Sequence, residues 1–432
     1  LLGLASLGIL VTIIGSLWAG NLLTMLVFWG AFDLIWTLGM IVAGASAQRV
    51  ALGSGISMLA TMLLWAGAGL TEASGGGLSW HLIEPTELGL ELLLLAGVLR
   101  LGIYPFQMAL PTNLSKSIPT ATALFFGPML GWSLFLRMTS IGEGLVPNGD
   151  WLSTLGVATL AAGGVLAWTQ RRTGTVVSWA SLSTVGATLW GASLAGEQAA
   201  LVLAGGGAAW ILGVALTYLD RGLSLQALWW TGAAAWGGLA LLCAPLTPGL
   251  AVTSILLREV SQRSLSGWHV AAILIGYGLL TAALVRRLQL PGAKENPRPL
   301  EVTVRATGLL TASIPILAAG ILPALLLQDT PASFVSLVAQ AGVMGWALWV
   351  SAVVSGVLLV WAETHFRHRI EPLLGLLHDF VSLDWVWRLF LGGLWRVVEL
   401  SQNIAELLEG AGAVLWSLVI FVLLLLILMG ST

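Results

Sequence analysis

Apolar runs of about 18 to 22 residues recur along the whole chain, separated by short joints rich in Gly, Pro and charge. At 1.5 Å per helical residue, each run can cross the roughly 30 Å hydrocarbon core of a bilayer. Candidate spans fall near 1–18, 22–45, 51–71, 88–104, 120–139, 151–169, 175–195, 198–218, 226–246, 268–287, 305–327, 340–361 and 411–430. The pattern predicts an all-α integral membrane protein, a polytopic bundle of about 12–14 transmembrane helices.

Two stretches break the pattern. The apolar piece 250–257 is too short to cross alone; Pro245 and Pro248-Gly249 precede it and Arg258-Glu259 follow it. It predicts a broken or re-entrant helix, whose irregular backbone must be enclosed by protein or face a water-filled cavity. From about 362 to 409, charges are interspersed with Leu, Val, Trp and Phe, and Val386, Leu389, Phe390, Leu394 and Val397 recur at helical spacing. This predicts a C-terminal amphipathic helix, lying on the membrane surface or against a neighbouring subunit. A last span, Val414–Met429, follows, so the chain divides into a transmembrane part, 1–361, and a C-terminal part, 362–432.

Composition removes the alternatives. Of 432 residues, 57% are hydrophobic and only 9% charged, whereas a soluble protein carries about 25% charged residues. No polar stretch is long enough for a separate soluble domain. A net charge of −2 gives no basis for a nucleic-acid partner. Cys243 is the only cysteine, which excludes an internal disulfide and a cysteine-ligated cluster. Leu1–Trp18 has no basic leader and no cleavage site, so it reads as a span rather than a signal peptide. Trp18, Trp80, Trp151, Trp268, Trp361 and Trp416 lie near run ends, where an aromatic belt belongs.

Charge gives orientation. Arg49, Lys116, Arg171-Arg172 and Arg221 occupy alternate loops, which makes that side cytoplasmic; the expected location is an inner, cytoplasmic membrane. Arg286, Arg287, Lys294, Arg298 and Arg305 join that side only if 250–257 is not an additional crossing, which favours a re-entrant piece.

Charges inside spans are costly, which makes Asp33 and Arg100 candidates for chemistry, and Arg258 and Glu259, flanking the short apolar piece, join them. Asp33 fits a half-channel carboxylate, an ion-pair partner or a structural hydrogen-bonding group. Arg100 fits a structural counter-ion better than a conducting group, because arginine stays protonated in proteins. Arg258 and Glu259 fit a cavity lining or a solvated helix end. His269 beside Trp268 belongs at an interface, and His365 with His368 belong to a basic flank; neither forms a metal framework. Gly205-Gly206-Gly207 lies inside an apolar span without a following Lys, so it is a packing surface rather than a phosphate loop. There is no nucleophile–base pair, dinucleotide fingerprint or cofactor motif, so no catalytic site of its own is expected.

Five stretches, in order, carry a resemblance. Leu99–Arg137 has Arg100, Pro105-Phe106, Ala109-Leu110-Pro111 and Pro119-Thr120; Ser178–Gly186 follows within LAWTQRRTGTVVSWASLSTVGATLWG. Ala244–Glu259 leads into the short apolar piece, Gly20-Asn21-Leu22 with Phe28-Trp29 opens an early span, and LDWVWRLF with EGAGAVLW closes the chain. This arrangement resembles the antiporter-like subunits of respiratory complex I, membrane-bound hydrogenases and Mrp-type sodium/proton antiporters. The resemblance implies two or three N-terminal helices beyond those in this sequence, and proton or sodium movement through half-channels beside other membrane subunits.

Residue by residue, the match departs from what that chemistry needs. A proton path needs ionisable side chains whose pKa values shift through one another, a role that lysine can fill. The family's Trp-Glu falls on Trp29-Gly30, with Asp33 the nearest acid, and its key lysine falls on Arg100. The next polar helix position falls near Phe126, the central His and Lys on Gly205–Trp210, and the broken-helix lysine near Thr253. The resemblance thus implies an antiporter-like membrane-arm subunit of a complex I-like, ion-translocating oxidoreductase assembly, its own channel degenerate. A non-conducting scaffold and a self-standing ion or small-solute transporter are the alternatives.

Overall fold

A computed structural model describes residues 2–42, 44–80, 83–107, 127–141, 149–170, 173–219, 228–262, 267–289, 299–327, 332–409 and 417–422. These residues form helices and connecting turns. The first four helices are α1 (Leu2–Leu17), α2 (Leu22–Val42), α3 (Ala47–Ala73) and α4 (Glu87–Leu101). After the undescribed stretch 108–126 come α5 (Met129–Ile141), α6 (Gly149–Thr169), α7 (Thr173–Leu194) and α8 (Ala199–Leu219). Then follow α9 (Leu228–Leu241), α10 (Leu250–Gln262), α11 (Gly267–Gln289), α12 (Pro299–Ile321) and α13 (Phe334–His365), and finally α14 (Arg367–Ser382) and α15 (Asp384–Glu409). Seven stretches among the described residues are long and apolar enough to cross a membrane unaided: they belong to α2, α3, α6, α8, α11, α12 and α13. The chain is a multi-pass membrane protein.

The chain forms two compact units, Leu1–Gly375 and Leu376–Thr432. In the first, glycines let helix backbones meet. Where α6 crosses α7, Gly163 faces Ser183 and Gly156 faces the backbone of Gly186 and Trp190. Gly276 of α11 packs on Leu160, and Gly356 of α13 packs on the backbone of Gly278. Membrane helices gain little from burying apolar surface, so this close van der Waals approach is what holds them.

These contacts fix helix direction. Arg286 of α11 reaches the Gln170 carbonyl beyond α6 and pairs with Glu363 of α13 at 3.0 Å, and Arg287 donates to the Thr217 carbonyl of α8. One end of the unit therefore gathers the ends of α6, α8, α11 and α13. At the opposite end, Trp190 of α7 stacks with His269 of α11, and Leu201 of α8 packs with Leu250, Ala251 and Leu337.

The re-entrant reading of 250–257 is corrected by this geometry. Gly237 of α9 lies against Leu216, Gly213 against Leu241, and Gly205 against the Pro248 carbonyl, while Leu250 and Ala251 pack on Leu201. So α9 and α10 run in one direction, antiparallel to α8, as two halves of a single crossing. With 14 and 13 residues, each half is only about 20 Å long and neither spans the hydrocarbon alone. Counted as one crossing, they leave Arg286, Arg287 and Arg305 on one end of the bundle. Lys116, Arg171-Arg172, Arg221, Lys294 and Arg298 lie outside the described residues.

In the second unit, α15 follows a left-handed residue, Leu383 (φ 56°). Val386 and Leu389 are exposed on it. The side chains of Phe390, Leu394 and Val397 are outside the described set, as is most of Val414–Met429, of which residues 417–422 are helical.

Candidate functional site

Asp33 sits midway along α2, and Trp29, one turn earlier, shares its inward face. Gly30, where the family motif would place an acid, faces open space: a Cβ there would meet nothing within 4 Å. Helical geometry thus gives the interior acid to Asp33 and turns position 30 away from the bundle. Arg100 occupies the last turn of α4, which Gly102 closes with a left-handed conformation (φ 64°).

The two side chains meet. Arg100 Nη1 lies 2.5 Å from Asp33 Oδ1, with only 2% and 4% of the respective side chains exposed. Between them stand two hydroxyls of α3, Ser57 and Thr61, four residues apart and so on one helix face. Ser57 Oγ donates to Asp33 Oδ1 and Thr61 Oγ1 to Asp33 Oδ2, each at 2.5 Å. In turn Arg100 Nη1 donates to Ser57 Oγ, and Nη2 to Thr61 Oγ1 at 2.7 Å. The guanidinium lies 4.4 Å from the centroid of the Trp29 ring and 5.2 Å from that of Phe32. Carboxylate, hydroxyls and aromatic faces together compensate both charges. The pair is therefore closed: both carboxylate oxygens are engaged, and the cation cannot release its proton.

Arg258 and Glu259 also meet, Nη2 to Oε1 at 2.8 Å, near the end of α10. They lie well past the break, and none of the described hydrogen bonds links them to Asp33 or Arg100.

Pro245, Pro248 and Gly249 lie in the segment between α9 and α10. The end of α9 is a Schellman closure: Ala244 N donates to the Leu239 carbonyl at 3.0 Å and Cys243 N to that of Ala240 at 2.9 Å. Cys243 takes the left-handed position (φ 50°) usually given to glycine. Threonines satisfy the carbonyls that the break frees. Thr184 of α7 donates to the Leu241 carbonyl at 2.6 Å, Thr253 to that of Cys243 at 2.7 Å, and Thr247 to that of Ala244 at 2.7 Å. The hydroxyl nearest the expected lysine position, Thr253, is thereby spent on the backbone.

Between the ion pair and the break, the interior is aromatic and glycine-lined. Trp132 of α5 and Trp210 of α8 face each other with centroids 6.4 Å apart, both fully buried. Gly206 packs on Thr188 and Gly207 faces Trp132 where the resemblance would place His and Lys. Phe126 lies outside the described residues. Among the histidines, His269 stacks on Trp190 and lies tilted against Trp268, and His365 lies tilted against Trp361. Among the described residues, no group of three His, Cys, Asp or Glu could hold a metal ion.

Ser57, Thr61, Thr184 and the Arg286–Glu363 pair did not stand out in the sequence. Ser54, Ser57 and Thr61 recur at helical spacing inside an apolar run, a polar stripe that marked the face of α3 turned toward Arg100.

No family model matches the chain, and no curated protein matches it. Solved structures do. A chain in the Mrp complex from Dietzia sp. DQ12-45-1b aligns over 98% of this chain and 51% of its own length, with a TM-score of 0.71 and 15% identity. The present chain thus spans about half the length of that one. A chain in respiratory complex I from Thermus thermophilus, solved with bound aureothin, aligns over 74% of this chain and 78% of its own, with a TM-score of 0.55 and 19% identity. The fold implied by the sequence motifs is the fold observed.

Proposed function

We propose that this chain is an antiporter-like membrane-arm subunit of a multisubunit, ion-translocating assembly, related to Mrp and complex I, and that its own proton path is degenerate. The fold supports the first half of this reading. The second half is carried by one observation, the closed Asp33–Arg100 pair. A guanidinium stands where lysine would be needed, both carboxylate oxygens are occupied, and the next ionisable positions are glycine backbone and a threonine bonded to Cys243. In such a chain the pair joins α2, α3 and α4, and the assembly's translocation runs through neighbouring subunits in an inner, cytoplasmic membrane.

The test is purification in mild detergent, followed by mass spectrometry of what accompanies the chain. The expected result is a stable complex containing further antiporter-like membrane chains. A chain that purifies alone, or with one soluble partner, would make a self-standing transporter the better reading. Within the complex, Asp33→Asn is expected to reduce the amount assembled while leaving ion movement per assembled complex near wild type. Loss of ion movement with assembly intact would return Asp33 to a conducting role.

A further inference from the structure

The break between α9 and α10 is sealed along its length by threonines, but its shoulder at Pro248–Ala251 is covered by a separate piece of chain. At Gly342, α13 leaves helical geometry (φ 66°, ψ 170°), so residues 334–341 form a two-turn arm ahead of a membrane-crossing helix. That backbone conformation is open to glycine and strained for other residues. Ser333 and Ser336 cap the arm's start reciprocally, and Trp346 Nε1 crosses the bend to the Val338 carbonyl at 2.9 Å.

The arm lies at the end of the bundle opposite Arg286 and Arg287. Its Leu337 is 0% exposed and packs on Leu201, Leu250 and Ala251, with Leu326 beside it. Leu326 also approaches Gly205, the glycine that faces the Pro248 carbonyl. Leu250 is the first residue of α10, so Leu337 and Leu326 sit directly over the second lip of the break. The arm is held by one face only: Val335 is 73% exposed, and Val343, just past the hinge, is 89% exposed.

We propose that the arm Phe334–Ala341 is a plug, hinged at Gly342, that closes the broken helix to water from the end of the bundle opposite the arginines. Leu337 is its stopper. Covering the lip keeps water from the carbonyls that the threonines hold, and lifting the arm opens the break from that end alone. This property belongs to the chain itself and does not depend on its membership in an assembly.

Cys243 makes the test direct. It is the only cysteine, fully buried, and lies in the break. Right-side-out and inverted membrane vesicles bearing the full chain are treated with a charged, membrane-impermeant methanethiosulfonate, and mass added to this chain is followed over time. In the wild type, Cys243 is expected to react slowly from both sides. Leu337→Ala is expected to speed labelling about tenfold or more, from the plug's side only, because it removes the buried contacts that hold the arm down. Gly342→Ala strains the hinge without touching the covered lip and is expected to act in the same direction. Val335→Ala, on the outer face, is expected to leave the rate unchanged. Unchanged slow labelling in Gly342→Ala and Leu337→Ala would overturn the proposal, as would equal acceleration from both sides. If Leu337→Ala does not accumulate, Gly342→Ala decides by itself.

Discussion

At Arg100, the difference between arginine and lysine is geometric as well as chemical. The guanidinium reaches Asp33 and Ser57 with one nitrogen and Thr61 with the other, a fork that a single ammonium cannot reproduce. Arg100→Lys is therefore expected to lower the melting temperature of the detergent-solubilised chain, although charge is conserved. Asp33→Asn leaves a buried cation uncompensated and is expected to cost about 3–5 kcal/mol, whereas Asp33→Leu combined with Arg100→Met recovers most of that loss. A double variant as unstable as Asp33→Asn would show that the pair's neighbours, rather than its charges, set the cost. Asp33 and Arg100 were legible in the sequence because a charge inside an apolar run is rare. Their hydroxyl partners were less so. Most hydroxyls in these helices bond their own preceding turn, as Ser54 does to the Val50 carbonyl and Thr71 to that of Gly67. Residue type alone cannot say that Ser57 reaches across instead, or that Thr61 reaches across besides bonding the Ser57 carbonyl of its own preceding turn.

The helices themselves were mostly visible as apolar runs; the break was visible too, but not its path. Pro245, Pro248 and Gly249 mark the irregular segment, and the apolar run before it predicts a span reaching 246. The helix in fact stops at Leu241 because Cys243, a residue with no turn signal, takes the left-handed position. Two apolar pieces then resembled a span plus a re-entrant hook, when they are halves of one crossing. Short contacts between backbones are equally silent in the sequence, since a glycine that faces lipid looks like one that faces a helix. Gly186, against the Gly156 carbonyl and the Leu160 amide, is expected to tolerate no enlargement. Gly186→Leu should force α6 and α7 apart and sharply reduce the folded yield. Gly55→Leu is the matched comparison, for nothing lies within 4 Å of a Cβ there. Equal yields of the two variants would mean that the α6–α7 crossing is not a determinant of folding.

Across the whole chain, burial is graded. In the most apolar windows of α8 and α6, 67% and 61% of residues are buried, against 28% in α12 and 22% in α13. The central helices thus pack on protein, while α12 and α13 offer most of their surface to lipid or to neighbours. With no lysine described within its helices and its central positions occupied by indoles and glycine backbone, the chain reconstituted alone in liposomes is expected to leave a pH gradient decaying as in protein-free liposomes. Accelerated decay, abolished by Asp33→Asn, would contradict the degenerate path. The membrane class and helical fold were readable from hydropathy, whereas which helices form the rim was not, because most spans carry apolar residues on the lipid-facing side and the protein-facing side alike. The closed ion pair has one more effect at this scale. A lone charge displaced across an energised bilayer exchanges about 2.3 kcal/mol for every 100 mV. Asp33 and Arg100 move as one neutral unit, so a displacement of α2, α3 and α4 together carries no gating charge from this position.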